Sequence, residues 1–255
     1  MNLVSKDDYM LNVVNISKSY GSIPAIKEIS FHIRSGEILG LLGSNGAGKT
    51  TTLSILSGLM KPDSGFVSLY EVEDPNEYKS QIGCVFDDLS PYDYLTGREY
   101  VTFMGELRGV PSNQIDLFIS DLSQLLFLER KIDVLIKTYS KGMCQKIILM
   151  GALVHNPVLL IMDEPFTGLD PESIKAIKDY LKAFTHKGNS IIFSTHILEV
   201  AEKLCDRLVI IEKGNCIATG SLEEIRLQDS QMNGNTLSLE EVFHMLTHSY
   251  SNFKK

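Results

Sequence analysis

The segment from Ile38 to Leu59 constrains the fold of this chain more than any other. Ile38 to Leu42 is a short apolar run without alternation, which favours a buried strand. The next eight residues, Gly43-Ser44-Asn45-Gly46-Ala47-Gly48-Lys49-Thr50, match the pattern G-x-x-x-x-G-K-[S/T]. Lys49 to Leu59 then favours a helix. A glycine-rich turn between a strand and a helix is the context in which this pattern binds phosphate, so the segment predicts a strand, a phosphate loop and a helix.

The chemistry of this loop follows from its residue types. Glycines let successive backbone N–H groups turn inward, and the helix N-terminus adds positive potential. Lys49 is expected to reach the β and γ phosphates of a nucleotide, and the Thr50 hydroxyl can ligate Mg²⁺. The alternative is a glycine turn that opens an ordinary helix. The loop residues expected to contact the nucleotide are Gly43, Ser44, Asn45, Gly46, Ala47, Gly48, Lys49, Thr50 and Thr51.

Two carboxylates, which a phosphate site also needs, follow a later apolar run. Val158 to Met162 predicts a buried strand, and Asp163 and Glu164 follow it directly. Asp163 is expected to hold Mg²⁺ through water, and Glu164 to polarise the attacking water. Two acidic residues that merely end a strand are the alternative. Together with the loop, the pair indicates a phosphate-loop NTPase.

The rest of the chain predicts the other elements of an α/β fold. Ile29, Phe31 and Ile33 alternate with polar residues, which favours an early antiparallel sheet. Residues 89–139 are interpreted as a mostly helical insert, because their apolar period becomes helical and Thr96 with Glu99 forms a capping box. Further strands are expected at Ile191 to Phe193 and at Leu208 to Ile211. The fold class is therefore a P-loop NTPase core with an N-terminal antiparallel β subdomain and an inserted α-helical subdomain. We expect one such unit over residues 1–228 and a helical tail over 229–255, whose helix Ser238 and Glu241 cap.

Composition and charge narrow the class of protein. With 255 residues and 44% hydrophobic content, the chain can bury a sizeable core. A net charge of −8 argues against a nucleic-acid partner, because neutralising phosphates needs an excess of Lys and Arg. The most apolar stretch, Ile147 to Met162, is interrupted by polar residues and is shorter than the roughly 20 residues that span a bilayer. With no visible secretory signal and four widely spaced cysteines, we expect a reduced, cytoplasmic protein that does not cross a membrane alone.

Four further segments occur in an order that carries a resemblance to a family. Thr138 to Gln145 keeps a serine and a glycine, Ser140 and Gly142, at two positions of the signature written Leu-Ser-Gly-Gly-Gln. The other segments are Tyr20-Gly21 near the start, Gly168-Leu169-Asp170 after Glu164, and Ser194-Thr195-His196 at the end of a predicted strand. From about residue 10 to 220, the chain resembles the ATP-binding cassettes of ABC transporters. Each segment taken alone has a simpler interpretation. The signature segment could be only a helix cap, Tyr20 a core tyrosine and His196 a surface histidine.

The resemblance implies a role for each of these residues. Tyr20 would stack on adenine, and Ser140 and Gly142 would approach the γ-phosphate held by an opposite cassette. Asp170 would couple the two active sites, and His196 would bond the γ-phosphate and the attacking water. The implied ligands are ATP and Mg²⁺. The implied partners are a second cassette, in a homodimer, and a separate integral membrane permease, which would hold the chain at the inner face of the cell membrane.

One position departs from the family pattern. After Ile82 to Phe86, where cassettes carry a glutamine that touches Mg²⁺, this chain has Asp87 followed by Asp88. Asp87 is expected to lie near the metal, where its charge adds repulsion toward phosphate. Three features make the chain similar to the bacterial branch that exports drugs, peptide antibiotics and bacteriocins, namely Asp87, the segment Tyr139 to Met143 and the tail sequence Leu239 to Phe243.

Two alternatives to a transport ATPase remain open from the sequence. A single-cassette ABC ATPase could act as a nucleotide-gated scaffold, and a nucleotide-binding module could turn over weakly or not at all. The altered signature and Asp87 favour the weak module, whereas intact Lys49, Asp163, Glu164 and His196 argue against it. For the transporter, the resemblance implies a docking groove for the membrane partner lined by Asp88 to Thr96. The aromatic residues of this loop suit a partner surface, although packing of the insert against the core is the alternative.

Overall fold

Two sheets organise the chain in the computed structural model, which describes residues 9–70, 72, 74–86, 91–228 and 237–253. The strands are β1 (Tyr9–Tyr20), β2 (Ile23–Arg34), β3 (Ile38–Gly43), β4 (Ser64–Leu69), β5 (Ile82–Val85), β6 (Leu159–Asp163), β7 (Ser190–Ser194), β8 (Arg207–Glu212) and β9 (Asn215–Gly220). The helices are α1 (Lys49–Leu56), α2 (Pro75–Ser80), α3 (Gly97–Leu107), α4 (Ser112–Leu125), α5 (Lys141–Leu153), α6 (Pro171–Thr185), α7 (Leu198–Leu204), α8 (Leu222–Gln228) and α9 (Leu239–Phe253). The predicted α/β class is confirmed.

The smaller sheet is antiparallel and has the strand order β2-β1-β4. Ile29, Phe31 and Ile33 of β2 are buried, whereas Ser30 between them is exposed, as the alternation predicts. The predicted N-terminal antiparallel sheet is therefore present. It packs on the face of the larger sheet that carries Leu39 and Leu41.

The larger sheet has the order β5-β6-β7-β3-β8-β9, and its strands are parallel except for β9. Every residue of β3, β6 and β7 is buried, which is why these strands appear in the sequence as continuous apolar runs. Because parallel strands end at the same edge, the residues after β3, β6 and β7 meet in space. Ligands bind at this edge in open α/β sheets.

The helix after the glycine loop is shorter than the sequence predicts. It ends at Leu56 and not at Leu59, because Gly58 adopts a left-handed conformation with φ of 69°. Farther along, α3 and α4 lie within the predicted helical region. Thr96 and Glu99 form the predicted capping box at the start of α3. Tyr100 and Val101 of α3 share a core with α5.

The tail helix α9 packs against α7 and against strands β8 and β9 of the larger sheet. Leu239 and Val242 are fully buried against Leu42 of β3 and Ala201 of α7. Ser238 and Glu241 exchange hydrogen bonds at the start of the helix, as predicted. Among the described helices, none has the length and apolar character that a membrane span requires. The four cysteines are free thiols.

Candidate functional site

The glycine loop between β3 and α1 lies tightly against two neighbouring strands. Gly48 has a φ of 110°, and a Cβ atom there would lie 2.8 Å from the carbonyl oxygen of Ala25. A Cβ atom on Gly43 would lie 2.4 Å from the carbonyl oxygen of Ile211. Only glycine fits these approaches. Gly48 also leaves the start of α1 without a side-chain cap, so the first N–H groups of the helix are open to an anion.

Lys49 is buried and folds back over the loop that precedes it. Its Nζ atom donates to the carbonyl oxygens of Gly43, at 2.8 Å, and of Ser44, at 3.1 Å. A buried ammonium group needs such partners, because transfer from water to the interior is costly. Phosphate oxygens are better acceptors for this cation than neutral carbonyls. The amine is therefore held where a bound phosphate could replace the carbonyl oxygens.

Thr50 and Asp163 bring the end of β6 next to the loop. The Thr50 hydroxyl donates to Oδ2 of Asp163 at 2.7 Å. On its other side, Oδ1 of the buried Asp163 accepts from the Ser194 hydroxyl at the end of β7. A hydroxyl and a carboxylate are hard oxygen donors of the kind that Mg²⁺ prefers, so these two residues fit a magnesium site.

Glu164 and His196 meet beside this pair. Oε2 of Glu164 lies 2.8 Å from Nδ1 of His196 and accepts a hydrogen bond of 3.3 Å from the His196 backbone N–H. Glu164 has a φ of 49°, a left-handed conformation that is uncommon outside glycine. Its backbone N–H donates to the carbonyl oxygen of Ser194 at 3.2 Å and to the Ser194 hydroxyl at 3.1 Å, which holds it in this conformation. The carboxylate is thus fixed between the ends of β6 and β7.

Lys49, Thr50, Asp163 and Glu164, but not His196, line a cavity of about 530 Å³, whose volume suits a nucleotide. The full lining is Ala25, Asn45, Gly46, Gly48, Lys49, Thr50, Thr51, Ser54, Leu59, Phe86, Asp163 and Glu164. Sequence reasoning missed Ala25, Ser54, Leu59 and Phe86. Of these, only Phe86 had a signal, since it follows β5 at the edge where β6 ends.

Tyr20 lies at the rim of the site and not in its lining. Its side chain is half exposed, and its hydroxyl oxygen lies 3.5 Å from the hydroxyl oxygen of Thr51. Ser44 faces the other way, because its hydroxyl donates to Oε2 of Glu212 on β8 at 2.7 Å. No motif or spacing in the sequence indicates this contact with Glu212. Asp87 lies outside the described residues, so its placement near the metal stays a prediction.

Ser140, Gly142 and Asp170 do not line this cavity. Ser140 caps α5 and is exposed, and its hydroxyl accepts from the backbone N–H of Met143 at 3.3 Å. Asp170 is an exposed cap of α6 and accepts from the backbone N–H of Ser173 at 2.8 Å. Hydrogen bonds from Ser173 lower the pKa of Asp170, so this carboxylate is ionised at neutral pH. A Cβ atom on Gly142 would lie 2.8 Å from the carbonyl oxygen of Gly168, so the two capped segments touch.

A parallel sheet with a glycine loop after one strand and an Asp-Glu pair at the end of another strand, two places away in the sheet, defines a phosphate-loop nucleotide-binding protein. Comparison with known proteins identifies the family within this class. The family model described as ABC transporter matches residues 26–167, and the chain belongs to this family. It is the ATP-binding subunit of an ABC transporter, in a family that hydrolyses ATP to drive transport.

Individual relatives agree with this assignment. The linearmycin resistance ATP-binding protein LnrL of Bacillus subtilis (strain 168) is 37% identical over 231 residues, which cover 89% of this chain and 73% of the relative. The Nod factor export ATP-binding protein I of Paraburkholderia xenovorans (strain LB400) is 40% identical over 211 residues, which cover 81% of this chain and 69% of the relative. A solved ATP-binding subunit of an ABC transporter superposes with a TM-score of 0.86 at 34% identity, covering 93% of this chain and 99% of that chain. The predicted family and fold are confirmed.

Proposed function

We propose that this chain is the ATP-hydrolysing motor of an export system and that its cavity hydrolyses Mg²⁺-bound ATP. The observation that carries the proposal is the fixed position of the Glu164 carboxylate, which lies next to Asp163 and bonds His196 at 2.8 Å. Lys49 and the open N–H groups of α1 would bind the phosphates. Thr50 and Asp163 would hold Mg²⁺, which supplies charge neutralisation on the phosphates when bound. Glu164 would take hydrogen bonds from the attacking water and align it with the γ-phosphate.

His196, which is hydrogen-bonded to Glu164, would contact the γ-phosphate. In the structure its Nδ1 atom is engaged by the carboxylate, which leaves the Nε2 atom for another group. A γ-phosphate oxygen is the group expected there. The histidine would therefore lose one interaction after the phosphate leaves, and the segment that carries it would relax.

The second part of the proposal is that two identical chains complete each site. Ser140 and Asp170 are exposed helix caps outside the cavity, and a helix N-terminus directs positive potential at an anion. A second chain facing the cavity could present Ser140 and Gly142 to the γ-phosphate and Asp170 to the interface.

A variant that binds ATP but cannot hydrolyse it tests this pairing, because the ATP-bound dimer should accumulate. Glu164→Gln protein with ATP and Mg²⁺ is expected to elute as a dimer on sizing, and the added Ser140→Arg change is expected to return it to a monomer that still binds ATP. An ATP-bound Glu164→Gln monomer would contradict the proposed pairing.

The third part concerns the membrane partner. Tyr92 and Tyr94 are 60% and 82% exposed, which is unusual for aromatic side chains. With Asp93, Leu95 and Phe103 they line a largely apolar groove of about 430 Å³. Exposed aromatic residues around an apolar groove suit a protein partner. We propose that this groove receives a segment of an integral membrane permease, which would place the chain on the cytoplasmic face of the membrane.

Export is proposed from the relatives. One relative is named for linearmycin resistance and another for Nod factor export. A drug or peptide is the proposed cargo of the complex, from the similarity of the sequence to the branch that exports drugs and peptide antibiotics. The cargo would be bound by the permease, because the cavity of this chain, with Lys49 and the glycine loop in its lining, is suited to phosphates.

A further inference from the structure

Lys146 is a buried cation that the reaction described above does not use. It lies in the second turn of α5, the helix that Ser140 caps, and its side chain is only 8% exposed. Its Nζ atom lies 3.9 Å from Oδ2 of Asp170, the cap of α6. A buried ammonium group is costly unless a partner balances it, so the placement of this amine calls for an explanation.

The helix geometry directs Lys146 at the same segment that Gly142 touches. Residues four apart lie on one face of an α-helix, and Gly142 and Lys146 are four apart. Gly142 contacts the backbone of Gly168, and Lys146 reaches the carboxylate of Asp170. The helix that carries the signature residues and the segment 168–170 are thus joined at two points, one by close packing and one by charge.

A third residue faces Lys146 from the helical region. The Nζ atom lies 5.7 Å from the centroid of the Phe127 ring, within the range of a cation–π interaction. Phe127 follows α4 and has a φ of 58°, which is uncommon for a bulky residue. Two hydrogen bonds hold this turn, from the Phe127 backbone N–H to Gln124 at 3.2 Å and from the Leu128 backbone N–H to Ser123 at 2.7 Å. This pattern is the usual left-handed end of a helix, and it fixes the position of the Phe127 ring beside Lys146.

The Ser173 backbone N–H and hydroxyl donate to the two oxygens of the Asp170 carboxylate, at 2.8 and 2.6 Å. We propose that Lys146 is a positioning residue that keeps the carboxylate in this bonded orientation by its charge, and that Phe127 holds Lys146 in place from the helical region. The ion pair contributes little to stability, because Asp170 is 59% exposed. The ion pair instead affects the orientation of the Asp170 side chain. Since Phe127 belongs to the same helical region as the proposed docking groove, the pair connects that region to Asp170. The catalytic consequence rests on the proposed action of Asp170 at the interface with a second chain.

Hydrogen exchange of the full-length chain tests the positioning role without reference to activity. The backbone N–H of Ser173 bonds Oδ1 of Asp170 at 2.8 Å, so its exchange reports how well the carboxylate is held. Lys146→Met is expected to speed exchange at Ser173 by about threefold or more, through local opening, and Lys146→Arg to restore the original rate. The melting temperature of Lys146→Met should not fall, because methionine replaces a buried charge with an apolar side chain of similar length.

Lys137→Met is the matched control, since Lys137 also lies over an aromatic ring, with its Nζ atom 5.6 Å from the centroid of Tyr94. It is expected to leave exchange at Ser173 unchanged. Unchanged exchange in Lys146→Met would overturn the proposal, as would a rate that Lys146→Arg fails to restore.

Steady-state hydrolysis separates this proposal from the proposed function. Lys146→Met is expected to lower kcat by about threefold to tenfold with KM nearly unchanged, and Lys146→Arg to recover it. The variant Asp170→Asn provides the reference. If Asp170→Asn keeps full activity, the proposed interface role of Asp170 fails, while the exchange rates still decide whether Lys146 positions the carboxylate. If Asp170→Asn loses activity and Lys146→Met keeps all of it, the positioning proposal fails alone.

Discussion

The imidazole of His196 and the carboxylate of Glu164 form a bonded pair, with Nδ1 2.8 Å from Oε2. The two residues are 32 positions apart in the chain and follow adjacent parallel strands, β6 and β7. A second hydrogen bond, from the His196 backbone N–H, holds the same oxygen at 3.3 Å. These two hydrogen bonds orient the carboxylate that is proposed to align the water, as preorganised catalysis requires.

Replacing Lys49 tests the phosphate loop. Lys49→Ala removes the amine that would pair with the β and γ phosphates, so affinity for ATP measured by calorimetry should fall by about tenfold to a hundredfold. Lys187→Ala, at an exposed lysine after α6, should bind as the unchanged protein does. Equal affinity in Lys49→Ala would show that the nucleotide binds elsewhere.

Asp87 takes the place of the family's glutamine, and its proposed role is to tune coupling. Asp87→Gln should leave the hydrolysis rate within about tenfold, equivalent to about 1.4 kcal/mol in the barrier. Phosphate release with the purified protein measures this. A loss as large as that in Glu164→Gln would identify Asp87 as the essential carboxylate.

The proposed docking groove depends on Tyr92 and Tyr94. Carboxylates at both positions would be desolvated by an apolar partner, so the Tyr92→Glu, Tyr94→Glu variant should no longer sediment with membranes that contain the permease. ATP affinity and melting temperature should stay unchanged. Tyr70→Glu, at a half-exposed tyrosine after β4, is the control and should remain with the membranes. Normal membrane binding and transport by the double variant would refute the docking site and leave the ATPase unaffected.

Stability should fall in acid because of His32. Burial, with Arg207 and Arg34 nearby, lowers the pKa of His32 from 6.5 to about 4. The unfolded chain therefore binds a proton below about pH 6.5 that the folded protein does not bind until about pH 4, and the free energy of unfolding decreases across this range. Allowing for solvent screening of a half-buried group, the loss should be about 1 kcal/mol. Urea unfolding at neutral pH and near pH 4.5 measures it. His32→Gln should reduce the loss, and His186→Gln, at an exposed histidine, should not.

Most of the fold could be predicted because its strands have simple patterns. Continuous apolar runs mark the buried parallel strands β3, β6 and β7, and alternation marks β2. The end of α1 was predicted three residues late, because the apolar pattern continues through Leu59 while Gly58 turns the backbone left-handed.

The candidate site could be predicted where its residues are adjacent in sequence or follow strands. That rule covers the glycine loop, Asp163 and Glu164, since parallel strands end at one edge, whereas His196 was predicted from the resemblance to the family. The rule could not find contacts that depend on tertiary packing. Glu212 faces Ser44 across 168 positions, and Lys146 meets Asp170 through the packing of two helices. Neither pair has a sequence spacing that would indicate it.

The most direct test of the account is phosphate release by the Glu164→Gln protein. Glutamine keeps the size of the side chain and leaves Thr50 and Asp163 in place, so ATP affinity should stay within about twofold. Without the carboxylate that aligns the water, phosphate release at saturating Mg²⁺ and ATP should fall by about a hundredfold or more. The melting temperature serves as the control for folding. A Glu164→Gln protein that binds ATP normally and releases phosphate at the original rate would contradict the assignment of Glu164 as the catalytic carboxylate.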